Sequence, residues 1–288
     1  MIASFRQVWQ IARLTFLEAV RQRFFNFLIL LALALIASAG YFRQLDFRDQ
    51  SQELRFIADF GLGGIVFFGS ILSVVATAQL FFSEIENRTA LTMLAKPVRR
   101  WSFIAGKLLG VALLMLVFVG VLTTLLGFLL WHREQQLIAI YHDAFIKGNW
   151  LNEYPDAQRV RFVGLAVDAL LQWLKFDVLA AITMLVASFS NTNLYTVVVS
   201  FFIFLICQLQ YIAYDSWQKI SFPALRGLVW LLSKFFPNFQ LFAVGEFLVF
   251  PAKVAVPHSA ILAAVGYGAL YVVVFATLAV SSFRSREI

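Results

Sequence analysis

The chain has 288 residues, of which 61% are hydrophobic and 14% charged, with a net charge of +7. Soluble domains carry roughly 45–50% apolar and about 25% charged residues, so a water-solvated globule is excluded and a polytopic membrane protein is implied. A single cysteine, Cys207, leaves no disulfide framework and no cysteine metal site.

The first 23 residues precede any long apolar run and show helical periodicity. Phe5, Val8, Trp9, Ala12, Phe16 and Ala19 share one face, with Arg6, Gln7, Gln10, Arg13, Glu18 and Arg21 opposite, and Leu14 and Leu17 interrupting the polar side. This pattern predicts an interfacial amphipathic helix over 1–23, with Arg6 and Arg13 toward anionic lipid and Phe5 and Trp9 dipping inward. A cleaved signal ending at Ala-Ser-Ala, or an ordinary cytoplasmic tail, are the weaker readings.

Apolar stretches then recur at about 18 to 25 residues, the length that crosses a hydrocarbon layer roughly 30 Å thick. Six spans are predicted, at 24–41, 57–82, 103–131, 176–189 (with 165 as an alternative start), 194–214 and 260–283. Nothing shows the short alternation of a membrane barrel, so the spans are read as helices. The fold class is an all-α bundle, a single transmembrane domain over 1–288.

Basic residues concentrate in Arg6, Arg13, Arg21 and Arg23, then Arg88, Lys96, Arg99, Arg100 and Lys107, and finally Arg284 and Arg286. By the positive-inside bias both termini are expected in the cytoplasm, and so is the segment 83–102 between spans two and three. That segment contains Glu84, Glu86, Arg88 and Thr89, then Leu91 and Leu94, then Pro97, Arg99 and Arg100. Proline breaks a helix, so a short helix over 83–94 and a restart at Trp101 are predicted. Leu91 and Leu94 need a cover, which suggests a lever that docks into another protein; a plain positive-inside hairpin is the bland alternative.

Regions 132–162 and 215–257 are read as external. The second holds four of the six prolines, and its apolar pieces, including "FQLFAVGEFLVF", are too short to cross, so they are predicted to be re-entrant or interfacial helices. His132, His142 and His258 lack ligand spacing, and no nucleotide-binding or hydrolase motif is present. No catalytic, cofactor or metal residue is therefore predicted.

Polar residues near the spans remain. Asp168 and Lys175 lie seven apart on one helix face, with Asp177 nearly opposite Lys175, and intramembrane charges are candidates for a pathway. The weightier reading sets them at the outer interface, before a span starting near Phe176, with Lys175 reaching the headgroups. Gln208 and Gln210, and Thr123 and Thr124, are read as interhelical hydrogen-bonding residues, with the two glutamines kept as pathway candidates. Gly69, Ser73, Ala76 and Thr77 form a small-residue stripe that predicts close helix packing, within the chain or across a dimer.

The segment "EIENRTALTMLAKPVRRWSFIAGKLLG" resembles the inner loop of type-2 ABC exporter permeases, through Glu84, Glu86, Thr89, Leu94, Pro97, Arg99, Gly106 and Lys107. Arg88 stands where many members have glycine. Within the family the segment is most similar to the permeases of nitrous-oxide-reductase maturation exporters, and "FFPNFQLF" and "FRSREI" resemble family endings. The resemblance implies a coupling helix made of Glu84, Glu86, Arg88, Thr89, Leu91, Leu94, Pro97, Arg99 and Arg100. It also implies a separate ABC ATP-binding subunit that holds ATP and Mg, and a second permease copy or paralogue. Partners are thus that subunit, the second permease and membrane lipid, with no nucleic acid, and the site is the cytoplasmic (inner) membrane. The alternative from another class is an intramembrane enzyme or an assembly scaffold working without an ATPase.

Overall fold

In the computed structural model, residues 2–44, 50–86, 100–146, 159–216, 222–224, 226–227, 230, 235–250 and 256–284 are described. They form α1 (Ile2–Arg21), α2 (Arg23–Ser38), α3 (Gln50–Glu86), α4 (Arg100–Ile146), α5 (Phe162–Phe189), α6 (Asn193–Ser216), α7 (Gly245–Val249) and α8 (His258–Arg284). Single 3-10 turns occupy Ala39–Gln44 and Phe239–Phe242. No strand occurs among the described residues.

Six helices are long and apolar enough to cross a membrane, at 23–41, 52–83, 101–143, 162–189, 193–212 and 258–283. The all-helical bundle is thus as expected. Its boundaries differ in an informative way. The fourth helix begins at Phe162, well before 176 and three residues before the alternative start at 165, and the third continues to Ile146, well past 131. At 1.5 Å per residue, α4 is about 70 Å long and must project beyond a hydrocarbon layer of about 30 Å.

One ion pair and one hydrogen bond to a carboxylate support that projection. Arg133 on α4 makes two 2.7 Å hydrogen bonds to the Glu53 carboxylate on α3, and Glu134 accepts from the Val160 backbone N–H at 2.9 Å. The first contact braces α3 against α4, and the second ties α4 to the stretch that leads into α5. We call this the far end, and the opposite end the α1 end.

Burial separates a centre from a periphery. In the apolar stretches of α3 and α5, 72% of residues are buried, against 28% in α2, 22% in α6 and 17% in α8. The small-residue stripe explains why α3 can occupy the middle. A Cβ at Gly69 would collide with the Phe176 ring, and Ser73 Oγ donates to the Phe176 carbonyl at 2.8 Å. The stripe therefore packs within the chain, against α5. Thr124 departs from expectation: it is exposed and donates to the Gly120 carbonyl of its own helix rather than to a neighbour.

Between α1 and α2 only Gln22 leaves the helix, with φ −69° and ψ 131°. That one extended residue lets the first helix turn away from the second. The predicted short helix over 83–94 is not a separate element at its start, because residues 83–86 are the last turn of α3. Its remainder lies outside the described residues, since 87–99 are not among them.

Candidate functional site

At the α1 end, α1 crosses the start of α4 at close range. Gly106 and Gly110 are four apart and so lie on one helix face, the spacing that lets helix backbones approach. A Cβ at Gly106 would stand 2.7 Å from Ile11 Cβ and 3.0 Å from the Val8 carbonyl. At Gly110 it would stand 2.6 Å from Thr15 Cβ and 2.8 Å from the Ala12 carbonyl. Neither position has room for a side chain.

The matching face of α1 is Val8, Ala12, Thr15 and Ala19, all buried. This divides the predicted apolar face. Val8, Ala12 and Ala19 turn to α4, while Phe5 and Trp9 stay 74% and 50% exposed, with Arg6 and Arg13 also exposed. The small residues serve the helix contact and the large ones remain available to lipid.

Lys107 sits between the two glycines and is fully buried. It donates to the Leu80 carbonyl near the end of α3, with its ammonium 5.4 Å from the centre of the Phe103 ring. Ser83 on α3 donates to Glu18 on α1 at 3.0 Å. Phe283 of α8 closes the cluster, its ring 5.9 Å from Phe81 and 5.8 Å from Phe103. The end of α3, the start of α4, α1 and the end of α8 thus form one packed body, and the segment 87–99 leaves it and returns to it.

Of the residues predicted to form a coupling segment, Glu84 and Glu86 fall in the last turn of α3 and Arg100 opens α4. Arg88, Thr89, Leu91, Leu94, Pro97 and Arg99 lie outside the described residues. Sequence reasoning missed the role of Gly106 and Gly110. The signal was present as the four-residue glycine spacing in "GKLLG" ahead of an apolar run.

At the far end a second constellation lies on α5. Asp168, Gln172 and Lys175 recur at intervals of four and three, hence on one face, and are 0%, 4% and 1% exposed. An ammonium that reaches the headgroups has to be exposed, so the interface reading of Lys175 does not hold. What covers this face is segment 239–250. Lys175 Nζ lies 5.7 Å from the centre of the Phe239 ring, and Gln172 Nε2 donates to the Phe242 carbonyl at 3.1 Å and to Asp168 at 3.4 Å. A Cβ at Gly245 would come within 2.9 Å of the Asp168 carboxyl carbon, and one at Gly164 would strike the Leu248 carbonyl. The Arg161 N–H donates to Val249 O at 2.7 Å.

These contacts pair 239 with 175, 242 with 172, 245 with 168, 248 with 164 and 249 with 161. The segment therefore runs antiparallel to α5 along about 20 Å of its length at 1.5 Å per residue. Asp177 is buried on the other side of α5, and Gln210 is buried and Gln208 half-buried on α6. The structure does not bring those three into the set formed by Asp168, Gln172 and Lys175. Among the described residues no group of His, Cys, Asp and Glu is placed to hold a metal ion.

The family model described as ABC-2 family transporter protein matches residues 9–288. No curated protein matches the chain.

Proposed function

Starting from the premise that the chain belongs to the ABC-2 transporter family and is a multi-pass membrane protein of it, we propose that it is the permease subunit of an ABC exporter. A separate ATP-binding subunit drives it, and a second permease copy or paralogue completes the translocation unit. In this reading the α1 end faces the cytoplasm of an inner-membrane protein with both termini inside, as the distribution of Arg6, Arg13, Arg21, Arg88, Arg99 and Arg100 favours. The ATPase docks on the segment from Glu84 to Arg100 and ATP and Mg stay in that partner.

One observation carries the proposal. The two ends of the docking segment are rooted in a body that also contains α1, through Gly106, Gly110, the Lys107 to Leu80 bond and the Ser83 to Glu18 bond. A push on residues 87–99 is therefore delivered at once to α1, α3, α4 and α8, which a free hairpin loop could not do. Packed interfaces of this kind move as units between discrete arrangements, which is what alternating access needs. Phe5 and Trp9, left exposed on α1, keep the moving body at the membrane surface.

An enzyme reading would need Asp168, Lys175 and Asp177 to converge on a space for substrate. Instead, Asp168 and Lys175 face segment 239–250 and Asp177 faces away from them. The decisive test is the double charge reversal Glu84→Arg with Glu86→Arg. Loss of the ATPase on co-purification, together with loss of transport, supports the proposal, and retention of both overturns it. Similarity to the nitrous-oxide-reductase maturation subgroup stays part of the proposal, and it is supported by "RTALTMLAKPV".

A further inference from the structure

Among the described residues, the starts of α5 and α8 enclose a cleft of about 600 Å³, a volume usual for small-molecule sites. Both helices begin at the far end. Arg161 immediately precedes the apolar span of α5 and His258 opens that of α8, so the two stand where hydrocarbon gives way to headgroups. Below them the walls are apolar, formed by Val163, Val167, Leu248 and Ile261. Of the ten residues that line the cleft, only Arg161 and His258 are polar, and none is acidic.

Backbone contacts fix these walls. A Cβ at Gly164 would strike the Leu248 carbonyl, so α7 lies directly on α5, and the Arg161 N–H holds the Val249 carbonyl at 2.7 Å. Across the cleft the Ala260 N–H donates to the Pro257 carbonyl at 3.0 Å. The mouth is left open. The Arg161 and His258 side chains are exposed and make no ion pair or hydrogen bond among the described residues. Glu246, beside the cleft in sequence, interacts electrostatically with Asp59 of α3 instead.

An apolar crevice in a membrane takes up lipid tails without preference, because tails are as apolar as leucine or valine. Cations at its mouth make it selective. A guanidinium matches phosphate with two parallel hydrogen bonds, and an imidazole offers an N–H in either tautomer. With no acid in the lining, a headgroup of net negative charge is favoured over one that carries its own ammonium.

We propose that the cleft between α5 and α8 is a site for one anionic phospholipid, its phosphate held by Arg161 and His258 and the upper part of one acyl chain lying among Val163, Val167 and Ile261. From 161 to 167 the wall is about 9 Å deep at 1.5 Å per residue. The bound lipid joins the start of α8, the least buried of the six spans, to α5. The site requires only that the chain crosses a membrane, so it goes beyond the permease reading and does not depend on it.

The test is photocrosslinking of the full-length chain in phosphatidylcholine vesicles that contain a small fraction of phosphatidylglycerol, or of phosphatidylcholine, carrying a diazirine in one acyl chain. Peptide mapping reads where the tail attaches. Phosphatidylglycerol is expected to label peptides covering 162–167 and 256–261 about fivefold more than phosphatidylcholine does, the preference conferred by about one cation near a membrane surface. Arg161→Gln combined with His258→Phe should erase that preference. Val163→Trp, at a position 79% exposed, should fill the cleft and lower labelling by both lipids. Equal labelling of the wild-type chain by the two lipids, a preference that survives in the double variant, or labelling no denser here than on the exposed face of α6 overturns the proposal, the last by showing annular lipid only. The wild-type comparison needs no variant, so a variant that fails to fold leaves the test decisive.

Discussion

At the α1 end, helices meet through glycines and small side chains, with backbone carbonyls of α1 against the positions where Gly106 and Gly110 lack a Cβ. At the far end a 3-10 turn and a short helix lie over Asp168, Gln172 and Lys175, and three of their polar atoms have no hydrogen-bond partner among the described residues. The first arrangement loses many van der Waals contacts at any displacement, and its buried Lys107 is already satisfied by the Leu80 carbonyl. The second buries Asp168, Gln172 and Lys175 beside Phe239 and Phe242. In the proposed function the first is the joint that passes force from the docking segment to the bundle.

Damage to the joint is expected to have the largest effect. Gly110→Leu forces a side chain into the backbone of α1 and should destabilise the fold by about 3 kcal/mol and abolish transport, read by thermal unfolding in detergent and by a transport assay. If transport persists, α1 and α4 do not move together. Next comes the brace at the far end. Arg133→Met leaves the Glu53 carboxylate, 8% exposed at its side chain, without its bidentate partner, and should lower stability by about 3 kcal/mol or slightly less, with Glu53→Gln milder.

Lys107→Met tests how much of the joint is polar. It removes a charged donor to Leu80 but keeps the packing on Phe103, so a loss of about 1.5 kcal/mol is expected. Ser73→Ala deletes the one interhelical hydrogen bond to the Phe176 carbonyl and should cost about 0.6 kcal/mol, the average for such bonds in membrane bundles. Smallest is Trp9→Ala. Trp9 is half exposed, so unfolding in detergent should change by less than about 0.5 kcal/mol, while flotation of an α1 peptide on anionic vesicles should weaken clearly. A large change in unfolding would show that Trp9 packs within the bundle.

The two ends were not equally legible. The spans were visible because uncharged runs of about twenty residues have no other common use. Their ends were not, because charge was read as the edge of a helix. Glu53 and Arg133 belong to helical extensions that pair with each other, and that pairing is invisible until α3 and α4 lie side by side. For the same reason Asp168 and Lys175 were set at an interface. The distant segment 239–250 lies against them, and no periodicity in α5 announces a cover some seventy residues downstream.

On α1 the aromatic pattern drew attention to Phe5 and Trp9, while the contact was made by Val8, Ala12, Thr15 and Ala19, an equally regular spacing of small residues. Glycines at 106 and 110 were the complement of that face. The two patterns could have been matched from sequence alone, since a small-residue stripe predicts another backbone close by. The proposed coupling segment, from Glu84 to Arg100, is read from its sequence alone, and the structure describes only the helix ends that it joins, Glu86 on α3 and Arg100 on α4.

The account depends on the loop between α3 and α4 facing the compartment that holds ATP. A cysteine introduced as Asn87→Cys in a Cys207→Ser background, challenged with an impermeant maleimide, reads this directly. Labelling only after the cells are permeabilised is the predicted result. Labelling at full rate on intact cells would put the loop on the wrong side of the membrane and contradict the account.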